Sequence, residues 1–470
     1  MQQVTTQPRV KIYPRSVKGL FRNIKTGILI LAYGVYFMLP WLRWERNEGP
    51  DQAVLFDIIG RKFYLFDLIV YAQDIFWLAG ILIIASLLLF FVTGVFGRVF
   101  CGYFCFQTLW TDVFMFIERH VQGERPARVR LAAAPWSLNK FIKYAFTYLL
   151  WLLVAFITGL AFVLYWGNAP DMLEAVFTFT APFATNMTII FLTLTTFVMA
   201  GIAREQVCTY MCPYARFQGV MFDRDTAIVA FDYQRGEREL GRQKVSKKTS
   251  AYDTRVAQGI GDCVDCGYCV QVCPTGIDIR NGMQYQCITC ALCIDACNNI
   301  MDALKYPRGL IRYTSDAELE GGKTRWFKPK SIAYALTLSA ATLLLIISII
   351  SRQAFEISVE QIRQPLYVLL SDGSIQNRYE IKLNNKTDDI QYVSLLLRGI
   401  KGARLEMGQQ ESIELKPGQR IKLPIKVTVT DYKPEQHNVP IEFLVTIDGE
   451  IKQYKHTSHF SFPAKRVKQK

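Results

Sequence analysis

Histidine is scarce in this sequence, with four residues in 470, and none of the four lies in a long apolar run. A haem held between two transmembrane histidines is therefore not expected. The sequence also lacks a Cys-x-x-Cys-His haem-attachment motif, a glycine-rich dinucleotide fingerprint and a phosphate-binding loop. The sequence therefore gives no support for a haem, nicotinamide or nucleotide cofactor bound by this chain.

Cysteine is absent after Cys297, although the chain holds twelve cysteines in all. All twelve lie in paired or tandem motifs of short spacing, whereas a disulfide framework would spread them through a small secreted domain. This usage indicates metal chemistry in a reducing compartment. The formal charge is +14, but no basic stripe interleaved with aromatic residues is visible, so a nucleic-acid partner is not expected.

Five uncharged apolar runs are long enough to cross a bilayer. Lys and Arg concentrate in the first 25 residues, between the second and third runs, and between residues 203 and 330, which predicts that these segments are cytoplasmic. The N-terminus is then inside and the C-terminus outside, in a bacterial inner membrane. The runs are Thr26–Leu42, Ile75–Gly97, Tyr144–Pro170, Ala175–Ala203 and Ser331–Ser351.

The sequence predicts a multidomain protein. Beyond Arg352, short alternating strands separated by turn signals indicate an all-β, immunoglobulin-like sandwich. The polar segment Tyr233–Gln258 reads as a surface or flexible connector. The predicted divisions are a basic cytoplasmic tail (1–25), a four-span helical membrane domain (26–203), a cytoplasmic ferredoxin-like α+β insertion (204–330), a fifth span (331–351) and a periplasmic sandwich (352–470).

Two cysteine runs carry the strongest signal, because each has the spacing C-x2-C-x2-C-x3-C that is typical of bacterial two-cluster ferredoxins. In such proteins the fourth cysteine of each run binds the other [4Fe–4S] cluster. Structural zinc sites are the alternative, but they usually consist of two separated C-x2-C pairs. The expected ligand sets are Cys263, Cys266, Cys269 and Cys297 for one cluster, and Cys287, Cys290, Cys293 and Cys273 for the other.

The remaining cysteines form two C-x-Y-x-C pairs, Cys101 with Cys105 and Cys208 with Cys212, each following a span that returns to the cytoplasm. On a helix, residues i and i+4 share one face, so two such pairs packed together would bring four sulfurs to the membrane surface. Thiolates suit Cu(I), zinc or a further iron–sulfur cluster, and they can also cycle to a disulfide. The ordinary alternative is that these cysteines are small buried hydrophobic residues.

Two acids near the first pair, Asp112 and Glu118, are expected to be surface helix residues rather than ligands.

The chain resembles the FixG/RdxA/CcoG group, the polyferredoxin-type cytochrome c oxidase accessory proteins, over essentially its whole length. The similarity is carried by the ferredoxin runs and by Tyr13-Pro14-Arg15, Phe37-Met38-Leu39-Pro40-Trp41, Cys101-Gly102-Tyr103, Gln107-Thr108-Leu109-Trp110 and Cys208 through Gln218. Phe106 stands where related sequences have proline.

This resemblance implies reduction of Cu(II) to Cu(I) for the assembly of a cbb(3)-type oxidase, with Cys101, Cys105, Cys208 and Cys212 as the catalytic copper-handling or electron-relay site. It implies membrane lipid, a cytoplasmic electron donor, a copper transporter or chaperone and oxidase assembly factors as partners, and leaves a homodimer open. Two alternatives remain: a quinol dehydrogenase feeding a periplasmic reductase, and a non-catalytic, redox-sensing assembly scaffold.

Overall fold

The computed structural model describes residues 11–46, 49–71, 74–246, 249, 251–351, 355–387, 390–407, 412–416, 418–430, 437–447 and 453–463. The chain divides into two compact units. The first comprises Met1–Trp44 and Asp51–Leu345, and the second comprises Glu45–Pro50 and Ile346–Lys470. The first four predicted spans and the ferredoxin segment thus belong to a single unit.

The first unit is mainly helical. Its membrane part holds α1 (Leu20–Met38), α2 (Ile75–Phe96), α3 (Val99–Tyr103), α4 (Phe106–Gln122), α5 (Arg125–Ala133), α6 (Leu138–Val163), α7 (Ala169–Phe177), α8 (Phe183–Thr196) and α9 (Pro213–Met221). Its cysteine-rich part holds α10 (Tyr233–Glu237), α11 (Tyr252–Ala257), α12 (Tyr268–Val272), α13 (Leu292–Leu304), α14 (Asp316–Leu319) and the long α15 (Pro329–Ile350).

Among the described residues, six helices are long and apolar enough to cross a membrane, which marks a membrane protein. Five of them lie on the runs expected from the sequence. They are Leu20–Trp41, Ile75–Phe96, Leu138–Trp166, Phe183–Ala203 and Pro329–Ile350. The sixth, Val99–Gln122, was not expected, because its charged residues Asp112, Glu118 and Arg119 interrupt the apolar pattern.

Both ends of Val99–Gln122 lie beside the ferredoxin segment. At one end the Tyr103 hydroxyl donates to the carbonyl of Cys290 (3.1 Å). Just beyond the other end, Glu124 accepts from the Ser16 hydroxyl (2.8 Å), and the Ser16 carbonyl in turn accepts from Tyr268 (3.0 Å). A helix that crossed the bilayer would place these ends about 30 Å apart along the membrane normal.

The predicted fourth run, Ala175–Ala203, is divided into three pieces. Helix α7 ends at Phe177, Pro182 caps the start of α8, and the last turns, Phe197–Ala203, form a π-helix. Proline lacks the N–H that a continuous helix would need at that point, so the chain restarts there.

A small sheet that the sequence pattern did not predict lies between α1 and α2. Its strands are β1 (Val54–Asp57), β2 (Lys62–Leu65) and β3 (Leu68–Tyr71), paired antiparallel in chain order. Strands of four residues show too few alternations to be recognised by period.

The start of α1 is fixed by the ferredoxin segment. Asp295, on α13, accepts hydrogen bonds from the backbone N–H groups of Phe21 (3.3 Å) and Arg22 (2.8 Å). A carboxylate at this position satisfies orphan donors and faces the positive end of the helix dipole. Within the predicted basic tail, residues 11–25 pack on the same segment: Val17 is buried, and the Arg15 N–H donates to the carbonyl of Gln271 (2.8 Å).

The second unit is the expected immunoglobulin-like sandwich. Its strands are β6 (Phe355–Gln361), β7 (Val368–Leu369), β8 (Ile375–Asn385), β9 (Gln391–Arg398), β10 (Ala403–Glu406), β11 (Ile413–Leu415), β12 (Arg420–Val429), β13 (Asn438–Ile447) and β14 (Gln453–Ser461). One sheet has the order β10-β12-β8-β6, with β7 also paired to β8, and the other has the order β11-β9-β13-β14. Apolar residues that alternate along the strands meet in one core, which includes Tyr379, Ile381, Val427 and Phe443.

Substituting Gly19→Ala tests the anchoring of α1. A Cβ at Gly19 would lie 2.3 Å from the Asp295 carboxyl carbon, so the cap must open. We expect a loss of about 1–3 kcal/mol in stability, seen as a lower apparent melting temperature of the detergent-solubilised protein. Gly27→Ala, on the same helix and with nothing within 4 Å of its Cβ, is the control and should not lower that temperature. Equal losses in the two variants would contradict the proposed anchor.

Candidate metal centres

The two ferredoxin runs fold into matching loops. On either side of the second cysteine of each run, the backbone takes positive φ angles: 47° and 63° at Asp265 and Gly267, and 53° and 60° at Thr289 and Ala291. These alternating angles curl the loop, which turns three successive cysteines towards one centre. Three of the four positions are not glycine, and each of those costs about 1–2 kcal/mol of backbone strain.

The ends of the two runs differ because of one residue. Helix α12 stops before Cys273, which is extended, and Pro274 follows. In the second run Asn298 takes the place of proline, so α13 continues through Cys297 to Leu304. The Asn298 side chain accepts from the Gly309 N–H (3.2 Å), which fixes the chain that returns beneath the helix.

The eight cysteines surround two separate cavities of similar size. Each cavity receives the fourth cysteine of the other run, as crossed ligation requires. We call them the proximal site, lined by Cys273, Cys287, Cys290 and Cys293, and the distal site, lined by Cys263, Cys266, Cys269 and Cys297. Cys269 also borders the proximal cavity.

The donor chemistry of both cavities fits a [4Fe–4S] cluster. Burial raises the pKa of Cys287 and of Cys297 to about 12, so the thiols are protonated until a metal replaces the protons. No three His, Cys, Asp or Glu side chains in the described residues converge closely enough to hold a single ion. A cubane spreads its four ligands over four irons, and a cavity ringed by sulfurs suits it.

A small scaffold supports the sites. Strands β4 (Ile228–Phe231) and β5 (Ile311–Thr314) pair antiparallel and pack against the cysteine loops. The interpretation of 233–258 as a surface connector is wrong at both ends. Gly236 is buried, and so is Arg255, which donates to the carbonyls of Gly261 (2.6 Å) and Cys263 (3.3 Å).

The expectation that the two cysteines of each C-x3-C pair share one face of a helix is wrong. In each pair the first cysteine lies in a short helical turn. The second is extended and precedes a new helix, with φ/ψ of −68°/128° at Cys105 and −77°/113° at Cys212. Pro213 takes the first position of α9, where proline is favoured. Phe106 takes the same position of α4, and Cys105 is extended like Cys212, so the first pair adopts this backbone conformation without a proline.

The four cysteines of these pairs lie near one another, although no three of them converge on a single point, and we call them the thiol quartet. Burial raises the pKa of Cys208 to about 12, and the nearby Cys105 and Cys101 thiols raise it further. Two glutamines link the pairs: Cys101 donates to Gln218 (Sγ–Oε1 3.6 Å), and Gln107 donates to the carbonyls of Met199 (2.8 Å) and Arg204 (3.2 Å).

The first pair packs directly on the proximal site. A Cβ at Gly102 would lie 2.8 Å from the carbonyl oxygen of Ile288 and 2.9 Å from the Cα of Cys290, so only glycine fits. Cys101 and Cys290 belong to the same cluster of buried residues. The thiol quartet and the proximal site are therefore neighbours.

The expectation that Asp112 and Glu118 lie on the surface is wrong, because each is 2% exposed. Glu118 forms ion pairs with Arg204 (2.6 Å) and Arg128 (3.0 Å), and Asp112 pairs with Arg22 (2.9 Å). These buried pairs hold α4 against its neighbours, and neither carboxylate joins the thiol quartet. The sequence did carry a signal for this burial, because Asp112 and Glu118 lie six residues apart on a mostly apolar helix.

Cysteine-to-serine variants test the crossed assignment. Cys273→Ser and Cys290→Ser should remove the same cluster signal from the EPR spectrum of anaerobically purified protein, and Cys297→Ser should remove the other. Iron should fall from about eight to about four atoms per chain in each variant. If Cys273→Ser instead removed the signal lost in Cys266→Ser, the ligation would not be crossed.

Family models match three segments: a "4Fe-4S dicluster domain" at residues 203–316, a "4Fe-4S binding domain" at 78–122, and the IG-like fold at the C-terminus of FixG at 345–463. The chain is 42% identical to protein RdxA of Cereibacter sphaeroides, over 86% of each chain. It is 37% identical to the nitrogen fixation protein FixG of Rhizobium meliloti, over 90% of this chain and 87% of that one.

A crystal structure of a FixG-related protein from Vibrio parahaemolyticus covers 23% of this chain and 97% of its own, at 23% identity and a TM-score of 0.22. The iron–sulfur models support cluster binding, and identity to RdxA and FixG extends over most of the sequence. This chain belongs to the FixG/RdxA family of iron–sulfur membrane proteins.

Proposed function

We propose that this protein carries single electrons to the thiol quartet, where Cu(II) is reduced to Cu(I) for assembly of a cbb(3)-type oxidase. One observation carries the proposal: Gly102, between Cys101 and Cys105, packs against Cys290 of the proximal site. No side chain separates the two backbones at that point, and electron transfer is favoured by such close approach. The copper-specific part rests on the family resemblance.

The reaction needs one electron for each copper ion, and the bound clusters supply one-electron transfer. The chain's own part is to bind copper and favour the product. Thiolates from Cys105 and Cys208 are soft ligands that prefer Cu(I) to Cu(II), so binding by the quartet lowers the free energy of the reduced ion. Copper is a substrate that must leave the protein. It therefore needs fewer ligands than a metal ion that is held permanently in a structural site.

The proposed topology has five crossings, with the ferredoxin segment in the cytoplasm and the sandwich in the periplasm. The Lys and Arg distribution supports this orientation. The helix Val99–Gln122 is best placed on the cytoplasmic side, since one end contacts the ferredoxin segment directly and the other is linked to it through Ser16. On this topology copper is reduced at the inner face of the membrane, and a copper transporter or chaperone would deliver it there.

A second candidate function is quinol oxidation, and one cleft favours it. Apolar and aromatic side chains from α1, α3 and β5 line a cleft of about 450 Å³, within the usual range for small-molecule pockets. Among them are Phe21, Ile24, Phe104, Tyr313 and Trp326. Tyr313 donates to the carbonyl of Thr289 (2.8 Å), next to Cys290, so a quinol in this cleft would lie close to the proximal site.

Cys208→Ser and Cys212→Ser should slow copper reduction without changing the clusters. We expect the rate at which Cu(II) reoxidises the pre-reduced protein to fall by at least about tenfold, because each variant removes a soft ligand. The rate is followed with a Cu(I)-specific chelator, and EPR checks the cluster signals. Thr209→Ala, between the two cysteines, should keep the wild-type rate. An unchanged rate in both serine variants would remove the quartet from the mechanism.

Ile24→Trp separates the two candidate functions. The larger side chain fills the cleft, so quinol-driven reduction of the clusters should fall while copper-driven reoxidation stays the same. Ile30→Trp, exposed on the same helix and outside the cleft, serves as the control. Equal quinol-driven rates in the wild type and both variants would rule the cleft out as a quinol site.

A further inference from the structure

Two buried cations lie around the proximal site without a carboxylate of their own. Lys25 is 1% exposed and Arg98 is 3% exposed. Neither forms an ion pair within the part of the chain that the structure describes, and the Lys25 ammonium and the Arg98 Nε have no hydrogen-bond partner there. A buried charge is costly unless something opposite in sign lies close to it.

Lys25 faces the proximal site from α1. One turn earlier on the same face, Phe21 contacts Tyr313 (ring centroids 5.6 Å apart), and Tyr313 reaches the carbonyl of Thr289. Burial raises the pKa of the Cys290 thiol, and the Lys25 ammonium is the main influence that lowers it. The nearby carboxylate of Asp112 forms its ion pair with Arg22 (2.9 Å), and the charge of Lys25 also helps to lower the pKa of this carboxyl.

Arg98 faces the same site from the start of α3. Its guanidinium donates to the carbonyl of Tyr285, two residues before Cys287, and it lines a cavity together with Cys287. Burial raises the pKa of the Cys287 thiol and also that of Cys208, and Arg98 lowers both. Arg98 thus stands between the proximal site and the thiol quartet.

The surroundings of the distal site are less positive. Arg280 forms ion pairs with two carboxylates, Asp265 (2.5 Å) and Asp278 (2.7 Å). A second cation, Arg255, is fully buried and donates to the carbonyl of Cys263 (3.3 Å). The charges of these four groups cancel, whereas Lys25, Arg22, Arg98 and Asp112 together carry +2. Asp295 lies on α13 between Cys293 of the proximal site and Cys297 of the distal site, so its charge does not favour one site over the other.

We infer that Lys25 and Arg98 hold the reduction potential of the proximal cluster above that of the distal cluster, so that electrons run from the distal site towards the thiol quartet. A [4Fe–4S] core with four thiolates carries about −2, and reduction adds one negative charge. A fixed cation stabilises the more negative state, and in a buried site solvent screens this effect only weakly. This order of reduction potentials does not depend on copper and requires only that both clusters are bound.

An EPR-monitored redox titration of the full chain, purified anaerobically in detergent and free of copper, tests this. The wild type should give two midpoint potentials. Lys25→Met and Arg98→Met should each shift the higher one downwards and leave the lower one in place, whereas Lys25→Arg and Arg98→Lys should keep both. Lys18→Met, an exposed charge in the same N-terminal segment, is the matched control and should change neither.

The distal site gives a test of opposite sign that does not disturb a buried cation. Asp265 is 45% exposed in its side chain, and Asp265→Asn should move the lower potential upwards and narrow the gap. Iron analysis shows that each variant retains both clusters. Unchanged potentials in Lys25→Met and Arg98→Met at wild-type iron content would overturn the inference, and so would an unchanged lower potential in Asp265→Asn. Because no copper is present, failure of the copper proposal would not affect these results.

Discussion

The close packing of Gly102 against the Ile288–Cys290 loop is the contact on which the functional arrangement depends. It leaves no room for a side chain, so the backbone of the first C-x3-C pair lies directly on the loop that carries a predicted cluster ligand. The Asp295 cap on α1 and the Tyr103 hydrogen bond to Cys290 fasten the same region from two other helices. Membrane helices and the ferredoxin segment are consequently one packed unit and not two modules joined by a linker.

The features that could be predicted from the sequence are those that short spacing or a regular period determines. The eight ferredoxin cysteines come together in the crossed sets because a C-x2-C-x2-C loop can only curl around one centre. The sandwich was predicted because long strands such as β8 and β12 alternate apolar and polar residues. Strands β1 to β3 are only four residues long and were not predicted.

What could not be predicted depends on contacts between distant segments. Asp112 and Glu118 looked like surface charges because their partners, Arg22, Arg128 and Arg204, are brought to them only by the fold. Lys25 and Arg98 were used to orient the membrane helices, and nothing local shows that they are buried. The helical-face interpretation of the C-x3-C pairs failed at Cys105 and Cys212, where the chain is extended between two helices.

The burial of the two cations and the burial of the cysteine thiols are energetically linked. A thiol with a pKa of about 12 resists forming the thiolate that a metal requires, and an unpaired ammonium or guanidinium resists burial. Placed together, each reduces the cost of the other once the cluster is bound, because the thiolate-ligated core supplies the negative charge that Lys25 and Arg98 lack. The proximal site is then most stable when loaded, and its electrostatic environment favours the reduced form of the cluster over the oxidised form.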